Sequence, residues 1–463
     1  MRFWLNGKQT DVDGVAADIT LLQHLRESRS SLGTKEGCAS GDCGACTLLV
    51  SDDDGSYRSV NSCLMPLASV QGRQVLTVEG LAQAGELHPI QQAMIDTHAS
   101  QCGFCTPGFA MSLAGANQHA VEGDGRAHIL DAISGNLCRC TGYKPIVEAG
   151  LQVLPKPNPL PPAPACETRT AQPLPGYWQP TSETELRGLL EQYPDARLIA
   201  GGTDLMLEGT QQYRELRQLI DLSHIKSLTR IDSAGDTLCI GAAATYSAQE
   251  KALSALAPAY VSFLLRLGSR QIRNRGTLGG NICNASPIAD TPPWLLVQEA
   301  ELIIGKAGGG FRYERLEDFY VDYKKTTLAA GEYLADVRLS RARLKCPAKL
   351  YKVSKRFEDD ISAVCGAFLI NPNGQLRIAF GGMAAVPKRA RATEAFINKQ
   401  DWRNPEKWSA IIDQAAQYLA QDFTPMTDVR ASSEYRAAMA HSLLRKACRA
   451  LVVGDDVEVG IYA

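Results

Sequence analysis

The chain has 463 residues, a formal net charge of -2, and a composition that is 45% hydrophobic and 21% charged. That length exceeds what one ordinary hydrophobic core supports and predicts about two to four domains, while the composition excludes wholesale disorder. The near-neutral balance gives no electrostatic reason to expect nucleic acid or an anionic membrane as the main partner.

The N-terminus, Met1-Arg2-Phe3-Trp4-Leu5-Asn6-Gly7, lacks the basic start, apolar run and small-residue cleavage site of a secretory signal. No stretch reaches the roughly 18 to 20 apolar residues of a spanning helix. A cytoplasmic location is therefore expected. Residues 3–80 alternate β-like runs (Arg2 to Leu5, Cys46 to Val50, Gln74 to Val78) with the hairpin signals Asn6-Gly7 and Asp54-Gly55. Residues 88–154 have helical character: Pro89, Ile90, Ala93, Met94 and Thr97 fit an amphipathic helix, and Thr106-Pro107 opens another. From Pro155 to Pro164 six of ten residues are proline, which predicts an extended interdomain linker. Beyond it, Arg197 to Ala200 runs into Gly201-Gly202, and a second glycine-rich stretch follows at Gly276 to Asn281. Strand-like runs at Ala363 to Ile370 and Leu376 to Phe380 precede helical periodicity from Asn404 to Leu451. There is no internal repeat.

Of the 14 cysteines, eight lie between Cys38 and Cys140, whereas Cys166, Cys239, Cys283, Cys346, Cys365 and Cys448 are scattered singly, as buried small apolar residues would be. Cys38, Cys43 and Cys46 form C-x4-C-x2-C, with Cys63 further on. This is the spacing of a plant-type [2Fe–2S] site, with Gly37, Gly41 and Gly44 freeing the backbone to wrap it. Zinc also takes four thiolates, but its usual pattern is two C-x2-C pairs. The second set, Cys102 and Cys105 with Cys138 and Cys140, fits zinc or a redox dithiol as well when read alone. Each of its pairs is expected at a helix start, at Thr106-Pro107 and in the stretch Thr141-Gly142-Tyr143-Lys144-Pro145, where the positive dipole end would stabilise an anionic sulfur cage.

Three segments, Glu36 to Cys46, Gln101-Cys102-Gly103-Phe104-Cys105-Thr106-Pro107-Gly108 and Gly135-Asn136-Leu137-Cys138-Arg139-Cys140-Thr141-Gly142-Tyr143, resemble the iron–sulfur signatures of the molybdenum hydroxylase family. The resemblance implies a β-grasp domain for the first cluster and a four-helix domain for the second, with Gln101 and Cys140 near the pterin of a molybdenum domain absent from the chain. Beyond the linker, Leu198-Ile199-Ala200-Gly201-Gly202-Thr203-Asp204-Leu205 places a strand before a glycine turn, which lets backbone N–H groups approach a diphosphate. Arg273 to Asp290 offers a second glycine nest. No G-x-G-x-x-G supports a Rossmann site.

Both stretches resemble the FAD domain of xanthine dehydrogenases and their carbon monoxide dehydrogenase relatives. That likeness implies cofactor contacts from Leu198, Ile199, Ala200, Gly201, Gly202, Thr203, Asp204 and Leu205, from Thr277, Gly279, Gly280 and Asn281, and from Asn284, Asp290, Leu334 and Lys352. Leu267 stands where the family often has an aromatic residue. Tyr323-Lys324-Lys325 and Lys355 to Asp360 resemble segments near the flavin and the nicotinamide access.

The resemblance implies an α+β multidomain chain. Its parts are a ferredoxin-like β-grasp [2Fe–2S] domain (1–80), a helical [2Fe–2S] domain (81–154), a Pro-rich linker (155–178), an α+β FAD-binding domain of the CO dehydrogenase flavoprotein/vanillyl-alcohol-oxidase-like type (179–345) and a small C-terminal α+β domain (346–463). The implied function is that of the small, electron-transfer subunit of an NAD+-dependent xanthine dehydrogenase. Electrons released when hypoxanthine or xanthine becomes urate would pass from the partner's molybdopterin through two [2Fe–2S] clusters to FAD and then NAD+. The partner would be a molybdenum-cofactor-binding large subunit, in a heterotetramer of two small and two large chains. No general base for substrate is expected in this chain. Competing readings are a free-standing iron–sulfur flavoprotein reductase or diaphorase, a subunit of another molybdenum hydroxylase such as an aldehyde oxidase, and a zinc-binding module.

Overall fold

A computed structural model describes residues 1–121, 123–158, 160–164, 170–357, 359–404 and 406–454. Cys166, Glu358 and part of the proline-rich linker lie outside the described residues. The chain divides into two compact units, the first made of Met1–Ile225 with Gly268–Gly276, the second of Lys226–Leu267 with Thr277–Ala463.

The first unit opens with a five-stranded sheet built from β1 (Arg2–Leu5), β2 (Lys8–Asp11), β3 (Thr47–Ser51), β4 (Tyr57–Asn61) and β5 (Gln74–Leu76), in the order β2-β1-β5-β3-β4. Asn6 and Gly7 close the β1–β2 hairpin with φ of 49° and 79°, which a type I′ turn demands. A short helix, α1 (Leu21–Gln23), is set by a capping box in which Thr20 and Gln23 satisfy each other's backbone amides. The strand expected over Gln74 to Val78 stops at Leu76, and Val78–Gly80 turns into a 3-10 segment instead.

Four helices follow: α2 (Pro89–Asp96), α3 (Thr106–Ala116), α4 (Gly125–Ala132) and α5 (Lys144–Val153). Their apolar faces, including Ile90, Phe109, Leu113, Ile129 and Ile146, share one core with Leu49, Tyr57 and Leu76 of the sheet. After the linker, β6 (Tyr177–Trp178), β7 (Arg197–Ile199) and β8 (Leu219–Asp221) form a parallel sheet in the order β6-β8-β7. Helix α6 (Glu183–Gln192) lies between β6 and β7 in sequence, started by the Ser182 hydroxyl on the Glu185 amide and by Glu183 and Glu185 in its first turn.

The segment Gly268–Gly276 completes this unit through polar contacts. Gln271, fully buried, donates from Nε2 to Thr47 Oγ1 (3.2 Å), Ser112 Oγ (3.1 Å) and Asn136 Oδ1 (3.0 Å). Arg270 and the fully buried Arg273 both pair with Asp131 on α4.

The second unit holds a five-stranded sheet of β9 (Ile231–Ala234), β10 (Thr237–Gly241), β11 (Glu301–Lys306), β12 (Phe311–Arg315) and β15 (Glu332–Ser340), ordered β12-β11-β15-β10-β9. A small hairpin of β13 (Tyr320–Asp322) and β14 (Lys325–Thr326) precedes β15. In its core Tyr260 stacks on Trp294 with ring centroids 3.8 Å apart and planes 9° from parallel. Such pairing adds about 0.5–1.5 kcal/mol beyond burial. A second sheet, β16 (Ala348–Val353), β17 (Val364–Ile370), β18 (Leu376–Gly381) and β19 (Lys388–Arg389), packs on the helices Trp408–Asp422 and Ser433–Val453. The continuous periodicity from Asn404 to Leu451 is thus two helices, because Pro425 disfavours the α conformation at Thr424.

Candidate electron-transfer sites

The first four cysteines stand at the edge of the β-grasp sheet, three in the loop before β3 and Cys63 in the turn after β4. They form two close pairs. Cys46 and Cys63, both buried, have their sulfurs 3.4 Å apart. Cys38 is hydrogen-bonded by the Cys43 thiol and by the amides of Ser40 and Cys43, at 3.4 Å each.

Within each pair the contact favours the charged form of one sulfur over the other. The Cys43 contact lowers Cys38 to about 4, and the Cys63 contact lowers Cys46. Their partners Cys43 and Cys63 are pushed up by those same contacts and by burial. The second set repeats the pattern, with Cys102 hydrogen-bonded to Cys140 and Cys105 to Cys138.

This pairing bears on the metal. A single tetrahedral zinc would draw all four sulfurs to about 3.8 Å from one another. Among the described residues, no three His, Cys, Asp or Glu side chains converge on one such point. Two irons bridged by sulfides need two thiolates each, and two pairs supply them.

Cys105 is the N-cap residue of α3, as expected, but Cys138 and Cys140 are not at the start of α5, whose N-cap is Tyr143. Their loop follows α4 and turns at Gly142 and Tyr143, both with positive φ (68° and 67°), and the Cys138 sulfur meets the hydroxyl and amide of Thr141 rather than a helix N-terminus.

The two cysteine loops touch. The Leu137 amide donates to Cys43 O (3.0 Å), and Asn136 Nδ2 donates to Gly44 O (3.0 Å). Gly44, at φ 66°, has no room for a side chain, since a Cβ there would sit 2.2 Å from Gly135 O.

On its other side the first loop meets the end of the short helix Leu207–Thr210, which follows the glycine turn after β7. Gln211 Nε2 donates to the carbonyls of Cys38 and Ala39, both at 3.0 Å. A Cβ on Gly202 would lie 3.3 Å from Leu64 O, beside Cys63. The turn itself fits an anionic ligand. Among the described residues the amides of Gly201, Gly202, Thr203, Asp204 and Leu205 donate to no protein acceptor. Arg275 braces it from behind, with Nε donating to Gly201 O (2.9 Å). Five successive free donors in a turn lacking side chains at its first two positions suit a diphosphate.

In the second unit, Thr277 caps the helix Leu278–Cys283, its hydroxyl accepting from the Gly280 amide at 3.1 Å. Gly279 is packed against Ala242, where a Cβ would meet backbone at 2.6 Å. Asn281 accepts from the Thr291 hydroxyl (2.6 Å), and Asn284 ends the helix. Asp290 is buried and engaged at both oxygens, by Lys352 Nζ (2.8 Å) and the Ser362 hydroxyl (2.5 Å). Lys352 also donates to Leu267 O (3.3 Å). Leu334 is a core residue of β15. Arg275 and Ser362 were not singled out from spacing, because only the fold brings them to Gly201 and Asp290. Tyr323, Lys324 and Lys325 are exposed at the β13–β14 turn.

Family models match nearly the whole chain in order: a 2Fe-2S iron-sulfur cluster binding domain at residues 3–68, a [2Fe-2S] binding domain at 77–151, an FAD binding domain in molybdopterin dehydrogenase at 169–341, and a CO dehydrogenase flavoprotein C-terminal domain at 349–451. The FAD-binding match includes residues of both compact units. Xanthine dehydrogenase 1 of Arabidopsis thaliana is 30% identical over 490 residues, covering 86% of this chain and 36% of that protein. Xanthine dehydrogenase/oxidase of Mus musculus is 30% identical, covering 82% of this chain and 34% of its own length. The chain thus spans about a third of the curated relatives it matches. Among solved structures, carbon monoxide dehydrogenase from Hydrogenophaga pseudoflava lacking the Mo-pyranopterin moiety aligns with a TM-score of 0.54 at 25% identity, over 58% of this chain and 94% of that one. Quinoline 2-oxidoreductase from Pseudomonas putida 86 shares the fold at a TM-score of 0.54 and 24% identity, over 60% of this chain and 97% of that one. No helix among the described residues is long and apolar enough to cross a membrane. With two [2Fe–2S] domains, an FAD-binding domain and the flavoprotein C-terminal domain in this order, the chain is an iron–sulfur and FAD electron-transfer chain of the molybdenum hydroxylase family.

Proposed function

We propose that this chain is the electron-transfer subunit of an NAD+-dependent xanthine dehydrogenase, working with a large subunit that binds the molybdenum cofactor. The observation that carries the reading is the succession of contacts in the first unit: second cysteine loop on first cysteine loop, first cysteine loop on Gln211 just past the glycine turn, and the turn's Gly202 beside Leu64, the neighbour of Cys63.

In this reading the pairs Cys38–Cys43 and Cys46–Cys63 would hold the first cluster. The pairs Cys102–Cys140 and Cys105–Cys138 would hold the second. The free amides of Gly201 to Leu205 bind the FAD diphosphate, and Thr277, Gly279, Gly280, Asn281, Asn284, Asp290, Leu334 and Lys352 contact the rest of the cofactor. Iron–sulfur clusters supply one-electron transfer and a flavin converts it to hydride transfer to NAD+. The chain's own task is positional. The Leu137–Cys43 hydrogen bond fixes one cysteine loop against the other, and Gln211 fixes the first loop against the helix end that follows the glycine turn. No residue here is assigned to purine chemistry.

The test uses the purified chain with and without its large subunit. Alone, it should carry about four irons and one FAD, let NADH reduce an artificial dye, and fail to oxidise xanthine. With the large subunit, xanthine should drive NAD+ reduction. Cys140→Ala should spare the NADH-to-dye reaction and abolish the purine-driven one. Stoichiometric zinc without iron, or xanthine turnover by the lone chain, would overturn the proposal. Reconstitution that oxidises aldehydes or another substrate but not purines would assign the chain to a different hydroxylase.

A further inference from the structure

The turn that follows the second pair of cysteines closes a small ring of hydrogen bonds on Cys138. The Cys138 amide donates to Tyr143 Oη (3.0 Å), and the Tyr143 amide donates to Thr141 Oγ1 (3.2 Å). Thr141 in turn meets the Cys138 sulfur, through its hydroxyl at 3.1 Å and its amide at 3.4 Å.

The direction of the hydroxyl contact follows from its surroundings. A cysteine bound to iron has no proton to give. The Thr141 oxygen already accepts from the Tyr143 amide, so its own proton is left for the sulfur.

The ring is held in a demanding conformation. Gly142 and Tyr143 both have positive φ, 68° and 67°, and for a bulky residue such as tyrosine this is a strained conformation. Edge contact of the Tyr143 ring with Phe109, centroids 6.1 Å apart, and the Cys138 amide hold the side chain in place. A strained turn kept by its own side chain delivers one hydroxyl to one sulfur.

We propose that Thr141 sets the reduction potential of the second cluster by donating its hydroxyl hydrogen bond to Cys138. The proposal rests on the reading that Cys138 ligates that cluster. One-electron reduction adds negative charge that spreads onto the thiolate sulfurs. An O–H dipole aimed at one of them stabilises the reduced state more than the oxidised one and raises the potential.

The test is a dithionite titration with redox mediators on the full cluster-loaded chain, followed by electron paramagnetic resonance of each reduced cluster. Thr141→Val keeps the shape and removes the donor. Its second-cluster midpoint should fall by about fivefold in the reduction equilibrium, roughly 40 mV for a one-electron couple. Thr141→Ser should restore it, Thr141→Ala should repeat the fall if the valine is not tolerated, and the first-cluster midpoint should stay put in all three. Unchanged second-cluster midpoints in the valine and alanine variants would overturn the proposal, as would a serine variant that behaves like alanine. Wild-type protein with iron for only one cluster would instead overturn the ligand assignment.

Discussion

Gly201 is where a single methyl group separates the binding reading of the glycine turn from a purely structural one. A Cβ at this position would lie 2.1 Å from Arg275 O, against the 3.4 Å at which ordinary contacts begin. The shortfall is about 1.3 Å, and the obstacle is backbone that is itself tied to Gly201 O by Arg275 Nε. The turn must therefore move. Overpacking of this kind costs about 1–3 kcal/mol, and with backbone on both sides the upper half of that range applies. If the displaced amides are the ones that bind FAD, Gly201→Ala should weaken FAD binding by roughly 30- to 150-fold. The internal comparison is Gly280→Ala, where a Cβ would meet only the Thr277 hydroxyl at 2.9 Å. That side chain can swing away at the expense of a helix cap, about 1 kcal/mol, so the loss should be near fivefold. The assay is quenching of FAD fluorescence on titration into flavin-stripped protein, with circular dichroism to check folding. Wild-type affinity in Gly201→Ala, or greater damage from Gly280→Ala, would refute the reasoning.

Replacing Asp131 with alanine should leave the fully buried Arg273 guanidinium without its carboxylate and cost about 3–5 kcal/mol in urea unfolding; a loss under 1 kcal/mol would contradict the packing argument. Cys43→Ala should remove the paramagnetic signal of the first cluster and keep that of the second, and loss of both in folded protein would show that the sites assemble together. Asp428 provides a pH test. Burial works against its charge, but the amides of Arg430 and Ala431 and the Arg436 guanidinium outweigh it and bring the carboxyl to about 2. Because the folded value is depressed, the stabilisation is present above the unfolded value near 4 and is lost as pH falls from there through 2. Allowing for solvent screening, Asp428→Asn should destabilise by about 1–2 kcal/mol at pH 7, with the difference shrinking as the pH falls below 4 and vanishing only below 2; a pH-independent difference between the two proteins would argue against it.

Local signals in the sequence translated directly into structure where the physics is local. Asn6-Gly7 selects a primed turn, and Pro107 suits the first turn of α3. The pairing of those cysteines was not legible, because it depends on which loops a fold brings together. Nor was the role of Gln271, which lies 224 residues from Thr47 and finds its partners only after three segments meet. The loop bearing Cys138 and Cys140 was misplaced at a helix start for a related reason. Lys144-Pro145 does open α5, yet Gly142 and Tyr143 turn the chain first, and positive φ at a tyrosine has no sequence signature.

The return of Gly268–Gly276 to the first unit has a consequence for biosynthesis. A chain emerging at roughly 5–20 residues per second delivers residues 1–225 first, but Arg270, Gln271 and Arg273 emerge only some seconds later. Until then Asp131 has neither guanidinium partner from this segment, and Thr47, Ser112 and Asn136 lack the amide that joins them. The first unit is thus finished only after part of the second has been made, so its last folding step waits on translation past residue 276. A nascent chain stalled at residue 225 should be cleaved by protease in the Asp131 region, and one released beyond residue 276 should resist.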